Sequence, residues 1–173
     1  PQAVEKLYAA KIRPRDKAIP LLLATSDALS LVAENVPPVA HRLAERFWPG
    51  GLTLVLRKRA IVSAAVSPGP TVAVRVPDHA VTQALIAALG APLAATSANL
   101  AGNPSPVTAQ EVVGELAGRI ELILDGGPCP GGVPSTVLDL TTDPPTILRS
   151  GAITEEDIRG CLKNHGDLSL RGA

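Results

Sequence analysis

Residues 52–76 read LTLVLRKRAIVSAAVSPGPTVAVRV, and this stretch decides the fold class. It holds two runs rich in Val, Leu and Thr, Leu52–Arg57 and Thr71–Val76, which is the composition of β-strands. A loop containing Ser, Pro and Gly separates the runs, so the chain turns between them. Because side chains alternate along a strand, Arg75 shares a face with Thr71. That face is either exposed to water, or it faces inward and the Arg75 guanidinium then needs a buried partner.

Helical and strand patterns alternate along the rest of the chain. The patterns predict helices over Gln2–Ala10, Pro38–Phe47 and His79–Leu89 and from Thr108 and Thr154, and strands over Leu21–Ala24, Leu93–Thr96, Leu122–Leu124, Thr136–Leu140 and Thr146–Arg149. The order shows no strict βαβ repetition, so we expect an α/β fold with one open, twisted, mixed sheet and flanking helices. We expect a single domain over 1–165, followed by a flexible tail at 166–173.

Composition excludes several classes of protein. The 173 residues are 46% apolar and 18% charged, which excludes disorder as the main state. Net charge is zero, but residues 1–86 carry +5 and residues 87–173 carry −5. A neutral chain lacks the overall attraction that nucleic-acid binding usually needs, although a local basic face can bind phosphates. No apolar run reaches the ~18 residues of a membrane span, so we expect a cytoplasmic protein.

The usual catalytic motifs are missing from the sequence. It has no Gly-x-x-x-x-Gly-Lys-Ser/Thr loop and no Gly-x-Gly-x-x-Gly after a strand. The three histidines lack metal-ligand spacing, so we assign no metal ligand. Cys129 lies in a Pro/Gly turn and Cys161 in the last helix, which makes both poor candidates for a nucleophile. A phosphate-binding site in this protein would therefore have to be built from residues outside these motifs.

Three polar clusters remain as candidates. Residues 11–17, KIRPRDK, place four cations at the end of the first helix, where they either cap the helix dipole or converge on phosphate oxygens. Residues 96–106, TSANLAGNPSP, follow a strand and form either a ligand-binding loop or a plain turn. The third cluster is scattered over Arg75, Ser135 and Arg149.

Six motifs together resemble the YrdC/Sua5 family, the L-threonylcarbamoyladenylate synthases. They are KIRPRDK, FWPGGLTLVL, TVAVRVPDH, ATSANLAGNPSP, GGVPSTVLDL and ILRSGAI, in family order from about residue 3 to residue 158. Each motif alone is weak, but six in register are specific. The resemblance implies an open, twisted α/β sheet with a concave basic cavity.

The resemblance also implies a nucleotidyltransferase. Such an enzyme joins L-threonine, bicarbonate and ATP into threonylcarbamoyl-AMP and releases pyrophosphate, with Mg²⁺ accompanying the ATP. The product serves tRNA modification through downstream threonylcarbamoyl-transferase proteins. This chemistry needs aligned reactants and charge-stabilising donors rather than a protein nucleophile.

The resemblance assigns site residues by position. Lys11 and Arg13 match the basic positions that line the family's cavity, and the resemblance assigns both a catalytic role. The ATP-binding positions are Arg13, Lys17, Thr71, Ser97, Asn99, Ser105 and Arg149. The threonine-binding positions are Leu22, Arg75, Ala95 and Ser135. Leu22 departs from the pattern, because some relatives carry a polar residue there.

One departure and two alternatives accompany the resemblance. The sequence begins after the family's Pro-Thr-x-Thr-x-Tyr-Gly-Leu element, so we expect the 173-residue chain alone to be a poor synthase. The main alternative is a non-catalytic module that binds tRNA or double-stranded RNA in the same cavity. Its three aromatic residues disfavour single-strand binding but leave contact with duplex phosphates open. The second alternative is a carbamoyl-adenylate-forming domain of hydrogenase maturation, which normally lies within a much larger chain.

Overall fold

A computed structural model describes residues 2–129, 132–163 and 170–172 and contains one six-stranded sheet in the order β4-β1-β3-β2-β5-β6. The strands are β1 Leu21–Leu22, β2 Leu52–Arg57, β3 Thr71–Arg75, β4 Leu93–Ala94, β5 Thr136–Asp139 and β6 Thr146–Arg149. The pairs β1–β3 and β2–β5 are parallel, and the other pairs are antiparallel. The expected open, mixed sheet is confirmed.

Six α-helices accompany the sheet in the described part of the chain. They are α1 Gln2–Lys11, α2 Leu29–Val32, α3 Pro38–Phe47, α4 Ala80–Leu89, α5 Ala109–Leu116 and α6 Glu155–Lys163. The five predicted helices are confirmed, with α4, α5 and α6 each starting one residue later than expected. His79 caps α4 instead, because its Nδ1 accepts a hydrogen bond from the Thr82 amide at 3.3 Å.

The predicted strand Leu122–Leu124 is wrong. This segment joins neither edge of the six-stranded sheet, and Leu122 and Leu124 are 72% and 58% exposed. A short apolar run has no strand character of its own without a neighbour to share its hydrogen bonds. Its apolar composition alone could not reveal that no sheet edge lies beside it.

The core lies on one face of the sheet. Leu52, Leu54 and Leu56 of β2 are at most 1% exposed, and Val72 and Val74 of β3 lie beside them. The buried residues Val4, Tyr8, Leu43, Ile158 and Leu162 of α1, α3 and α6 complete this core. The alternate residues of β3 are only partly buried. We call the face that carries them the second face.

The chain after β6 crosses tightly over the start of β5. A Cβ at Gly151 would lie 2.3 Å from the Pro134 carbonyl oxygen and 2.6 Å from the Thr136 nitrogen, so glycine is required for this approach. The Ala152 amide also donates to the Pro134 oxygen at 2.9 Å. The crossing therefore fixes the backbone at Ser135.

Only part of the predicted tail 166–173 falls within the described residues. Leu170 is buried, and Arg171 exchanges backbone hydrogen bonds with Pro145 and Ile147. The flexibility of the whole tail and the boundary at residue 165 stay predictions. Within the described ranges, every helix is too short or too polar to cross a bilayer.

Candidate functional site

Strand register brings the third polar cluster together. Leu22 pairs with Arg75, and Val137 pairs with both Thr53 and Arg149. Extending the β2–β3 register by one residue sets Thr53 beside Arg75. Because residues in register project to the same side of a sheet, these side chains form one row across the second face.

Two arginines lie near each other at this row, and each hydrogen-bonds a different backbone carbonyl. Arg149 donates from Nε and Nη2 to the Ser135 carbonyl oxygen at 3.0 and 2.7 Å and from Nη2 to Ser135 Oγ at 2.9 Å. Arg75 donates from Nε to the Gly50 carbonyl oxygen at 2.6 Å. Among the described residues, neither guanidinium forms a salt bridge with a carboxylate. Both retain N–H donors for an anionic ligand.

The electrostatics of the row also favour an anion. Burial lowers the pKa of Arg75, and the positive charge of Arg149 lowers this pKa further, against a smaller opposing effect of Asp78. Two neighbouring cations repel each other, and a bound carboxylate or phosphate would relieve that repulsion. This arrangement is typical of an anion-binding site.

Thr53 was missed by sequence reasoning. Its Oγ1 lies 2.8 Å from Ser135 Oγ, and the side chain is 4% exposed. A hydroxyl among the leucines of β2 was the available signal, but only the β2–β5 pairing reveals its partner. Thr53 and Arg149 thus both hydrogen-bond the Ser135 hydroxyl and together fix its position.

Lys11 is directed into the loop at 97–103 rather than toward solvent. Its ammonium donates to the carbonyl oxygens of Ser97, at 2.5 Å, and Asn99, and it lies 3.3 Å from Asn99 Oδ1. The residue is 5% exposed, and burial lowers its pKa, with Arg13 lowering that pKa further. Its three N–H donors thus have acceptors inside the protein, and Lys11 organises the loop.

The same loop is closed by Asn99 and presents its hydroxyls outward. Asn99 is 4% exposed and donates from Nδ2 to the Asn103 carbonyl oxygen at 2.6 Å. Ser97 and Ser105 are exposed. Neither serine hydroxyl makes a hydrogen bond within the described parts of the chain, which leaves both for a ligand.

The basic segment 11–17 folds back onto the end of α1. Arg13 donates from Nη2 to the Ala18 carbonyl oxygen at 2.9 Å, and Tyr8 donates to the Lys17 carbonyl oxygen at 3.1 Å. Arg15 forms a salt bridge with Glu5, so its charge is neutralised locally. Arg13 and Lys17 form no salt bridge with a carboxylate among the described residues, and neither does the buried Lys11.

The remaining predicted positions lie toward this basic segment. The Ala95 amide donates to the Pro20 carbonyl oxygen at 3.1 Å, which sets Ala95 at the end of β1 nearest residues 11–17. Thr71 pairs with Arg57 and lies four residues before Arg75, about 13 Å along an extended strand. Thr71 and Arg75 therefore mark two ends of one face.

A cleft of about 730 Å³ runs beside α1 and the loop. Its lining includes Lys11, Ala95, Thr96 and Ser97 on one side and Arg119 on the other. The described residues contain no group of three His, Cys, Asp or Glu side chains arranged to hold a metal ion.

Comparison with known proteins gives concordant matches. The family model Sua5_yciO_yrdC, described as "Telomere recombination", matches residues 1–151. Two relatives are named threonylcarbamoyl-AMP synthase. The relative from Pyrococcus abyssi is 45% identical over 157 residues, which cover 90% of this chain and 46% of the relative. The relative from Bacillus subtilis is 46% identical over 162 residues, which cover 92% and 47%.

A solved structure supports the same relationship. The crystal structure of P. abyssi Sua5 complexed with L-threonine is 42% identical and superposes with a TM-score of 0.92, covering 98% of this chain and 49% of that one. The present chain spans about half the length of these relatives. With most of its length matched by the family model and its sheet shared with Sua5, the chain belongs to the Sua5/YciO/YrdC family.

Proposed function

We propose that this chain carries the substrate-binding sheet of an L-threonylcarbamoyladenylate synthase. The observation that carries the proposal is the pair of neighbouring cations Arg75 and Arg149, which hydrogen-bond the carbonyl oxygens of Gly50 and Ser135 and have no carboxylate partner among the described residues. Two relatives share the corresponding name, and the P. abyssi structure was solved with L-threonine. A site for a small amino acid beside a nucleotide needs two separate groups of hydrogen-bond donors, one for each ligand, and this chain offers two such groups.

The threonine subsite is the row on the second face. Arg75 pairs with the threonine carboxylate, because its guanidinium is partly desolvated and has free donors. Ser135 offers a hydroxyl that Thr53 and Arg149 already orient. Leu22 and Ala95 supply apolar contact for the threonine methyl group.

The nucleotide subsite joins the basic segment to the serine loop. Arg13 and Lys17 contact phosphate oxygens, and Thr71, Ser97 and Ser105 add hydroxyls. Lys11 and Asn99 act through the loop, since their polar groups bond within it. Mg²⁺ enters with ATP and is held by phosphates and water, as this ion commonly is.

Arg149 serves both subsites in this proposal, since it hydrogen-bonds Ser135 of the threonine subsite and keeps donors for a phosphate. The amine of threonine and bicarbonate form a carbamate with loss of water, and a carbamate oxygen then attacks the α-phosphorus while pyrophosphate leaves. Negative charge develops on the phosphoryl oxygens in this step, and a fixed guanidinium stabilises it. Arg149 is fixed by three hydrogen bonds to Ser135, so it needs no reorganisation. Threonylcarbamoyl-AMP then serves tRNA modification.

Calorimetric titration of Mg-ATP into Arg13→Ala and Arg15→Ala variants tests the proposal. Arg13 donates only to backbone carbonyls among the described residues and is the proposed phosphate contact, whereas Arg15, two residues away, is paired with Glu5. We expect Arg13→Ala to weaken ATP binding about tenfold or more, the effect of one charge-assisted bond. Arg15→Ala should bind within about threefold of the wild type, because a surface ion pair contributes little. Equal affinities in all three proteins would contradict the nucleotide subsite.

A turnover assay addresses the chemistry. Pyrophosphate release should require both threonine and bicarbonate. ATP consumption that continues at the same rate without threonine would count against a threonylcarbamoyl transfer.

A further inference from the structure

We propose that Glu115 is a positioning residue for the nucleotide subsite and acts by fixing the loop 97–103 from α5. This inference rests on the proposed function, since it concerns the loop that carries Ser97 and leads to Ser105. Glu115 lies outside every sequence motif that carried the family resemblance, and its role is visible only in the folded contacts.

Glu115 binds the loop through two hydrogen bonds to one oxygen. Its Oε2 accepts from the Leu100 amide at 2.6 Å and from Asn103 Nδ2 at 3.0 Å. The Asn103 carbonyl oxygen accepts from Asn99 Nδ2. The carboxylate therefore orders both ends of the turn that follows the Ser-x-Asn element.

Lys11 holds the same loop from the opposite side. Its ammonium takes the carbonyls of Ser97 and Asn99, and its own carbonyl oxygen accepts from the Ala101 amide at 2.9 Å. The negative charge of Glu115 raises the pKa of Lys11 and so opposes the effect of burial. The Lys11 ammonium on α1 thus binds carbonyl oxygens of this loop, and the Glu115 carboxylate on α5 binds one of its amides.

A matched control lies on the same helix. Glu111 is also on α5 and also accepts a hydrogen bond from a backbone amide, that of Val107 at 2.7 Å, but it caps its own helix, and among the described residues its side chain forms no hydrogen bond with the segment 97–103. Removing Glu111 costs helix stability without releasing the loop. A difference between the two variants therefore isolates the loop from the general stability of α5.

The test is calorimetric titration of Mg-ATP and of L-threonine into the wild type and Glu115→Ala, Glu115→Gln and Glu111→Ala variants. For Glu115→Ala we expect at least about a tenfold loss of ATP affinity, since charge-assisted bonds to the loop are lost. Glu115→Gln should recover most of the affinity, because its amide oxygen accepts the Leu100 bond. Threonine affinity should stay within about twofold in all variants, as should ATP affinity in Glu111→Ala.

Two outcomes would overturn the inference: wild-type ATP affinity in Glu115→Ala, or an equal loss in Glu111→Ala. Amide hydrogen exchange at Leu100 gives a readout that does not depend on ligands. Its protection should fall in Glu115→Ala and persist in Glu111→Ala, and unchanged protection would also overturn the inference. If the wild type binds neither ligand, the proposed function fails while the exchange result still decides the role of Glu115 in the loop.

Discussion

Arg75 shows what single residues reveal and conceal. The sequence predicted its strand and its face, because Thr71 to Val76 alternate in a regular pattern. It could not decide between a hydrated surface and a partnered guanidinium. Only the register with Leu22 and the approach of Arg149 show that the arginine belongs to the row for which we propose anion binding. Contacts between residues far apart in sequence leave no local signal, and Thr53 and Glu115 were missed for the same reason.

Replacing Arg75 should separate the two subsites. In Arg75→Ala we expect threonine affinity to fall about tenfold or more, because the carboxylate loses a charge-assisted partner. ATP affinity should change by less than about threefold. Titration of each ligand measures both effects, with Arg59→Ala as the control, since Arg59 bonds to the Ser30 carbonyl oxygen away from the row. Equal losses of both ligands in Arg75→Ala would refute a specific threonine role.

Ile12 adopts a backbone conformation that is unusual for its side chain. Its φ is +52°, in the left-handed region that β-branched residues avoid, and the side chain is 67% exposed. Ile12→Gly should therefore raise the free energy of unfolding by about 1 kcal/mol, as strain is relieved with little loss of burial. Ile61→Gly serves as the control because Ile61 is 80% exposed without a positive φ. Thermal melts in which both variants lose stability would show that Ile12 carries no strain.

At the scale of elements, the crossing between β6 and β5 connects stability to the site. The sequence placed both strands correctly, but it gave no sign that Gly151 touches the Pro134–Thr136 backbone. Helix starts were more predictable, because capping residues act locally: Thr108 accepts from the Glu111 amide as the Thr-x-x-Glu pattern indicates.

Gly151→Ala should destabilise the fold by about 2 kcal/mol, the usual scale of overpacking against a backbone that cannot yield. It should also weaken threonine binding, because Ser135 would shift. Gly69→Ala is the matched control, as a Cβ there meets nothing within 4 Å. Chemical denaturation measures the first effect and calorimetry the second. A Gly151→Ala protein as stable as Gly69→Ala would contradict the described crossing.

The start of α6 should make stability depend on acid pH. Hydrogen bonds from Thr154 lower the pKa of Asp157 below its usual value of 3.8. A carboxylate whose pKa is lowered by folding stabilises the fold at any pH above its pKa in the unfolded chain. This contribution is lost as the pH falls through the pKa of the folded protein. The melting temperature of the wild type should therefore exceed that of Asp157→Asn near neutral pH, with the gap closing below about pH 3.8. A gap that is constant with pH would exclude this linkage.

At the scale of the whole molecule, the salt dependence of binding distinguishes a nucleotide site from an RNA-binding surface. Overall charge is zero, with +5 in residues 1–86 and −5 in the remainder. A site for one nucleotide should change affinity by less than about tenfold between about 50 and 200 mM salt, provided Mg²⁺ is held constant. A surface that neutralises six to ten RNA phosphates would lose about a thousandfold or more. Duplex RNA binding tighter than ATP binding, with that steep salt dependence, would favour the RNA-binding module.

The central claim is that threonine occupies the row on the second face of the sheet and that ATP occupies a neighbouring subsite formed by the basic segment and the serine loop. Mapping amide chemical shifts of the isotopically labelled chain, with L-threonine and then Mg-ATP added, tests it most directly. We predict that threonine shifts the amides of Leu22, Arg75 and Ser135, and that Mg-ATP then shifts those of residues 13–17 and 97–105. Shifts confined to the opposite face, at α3 and α6, or no shift in either group, would contradict the account.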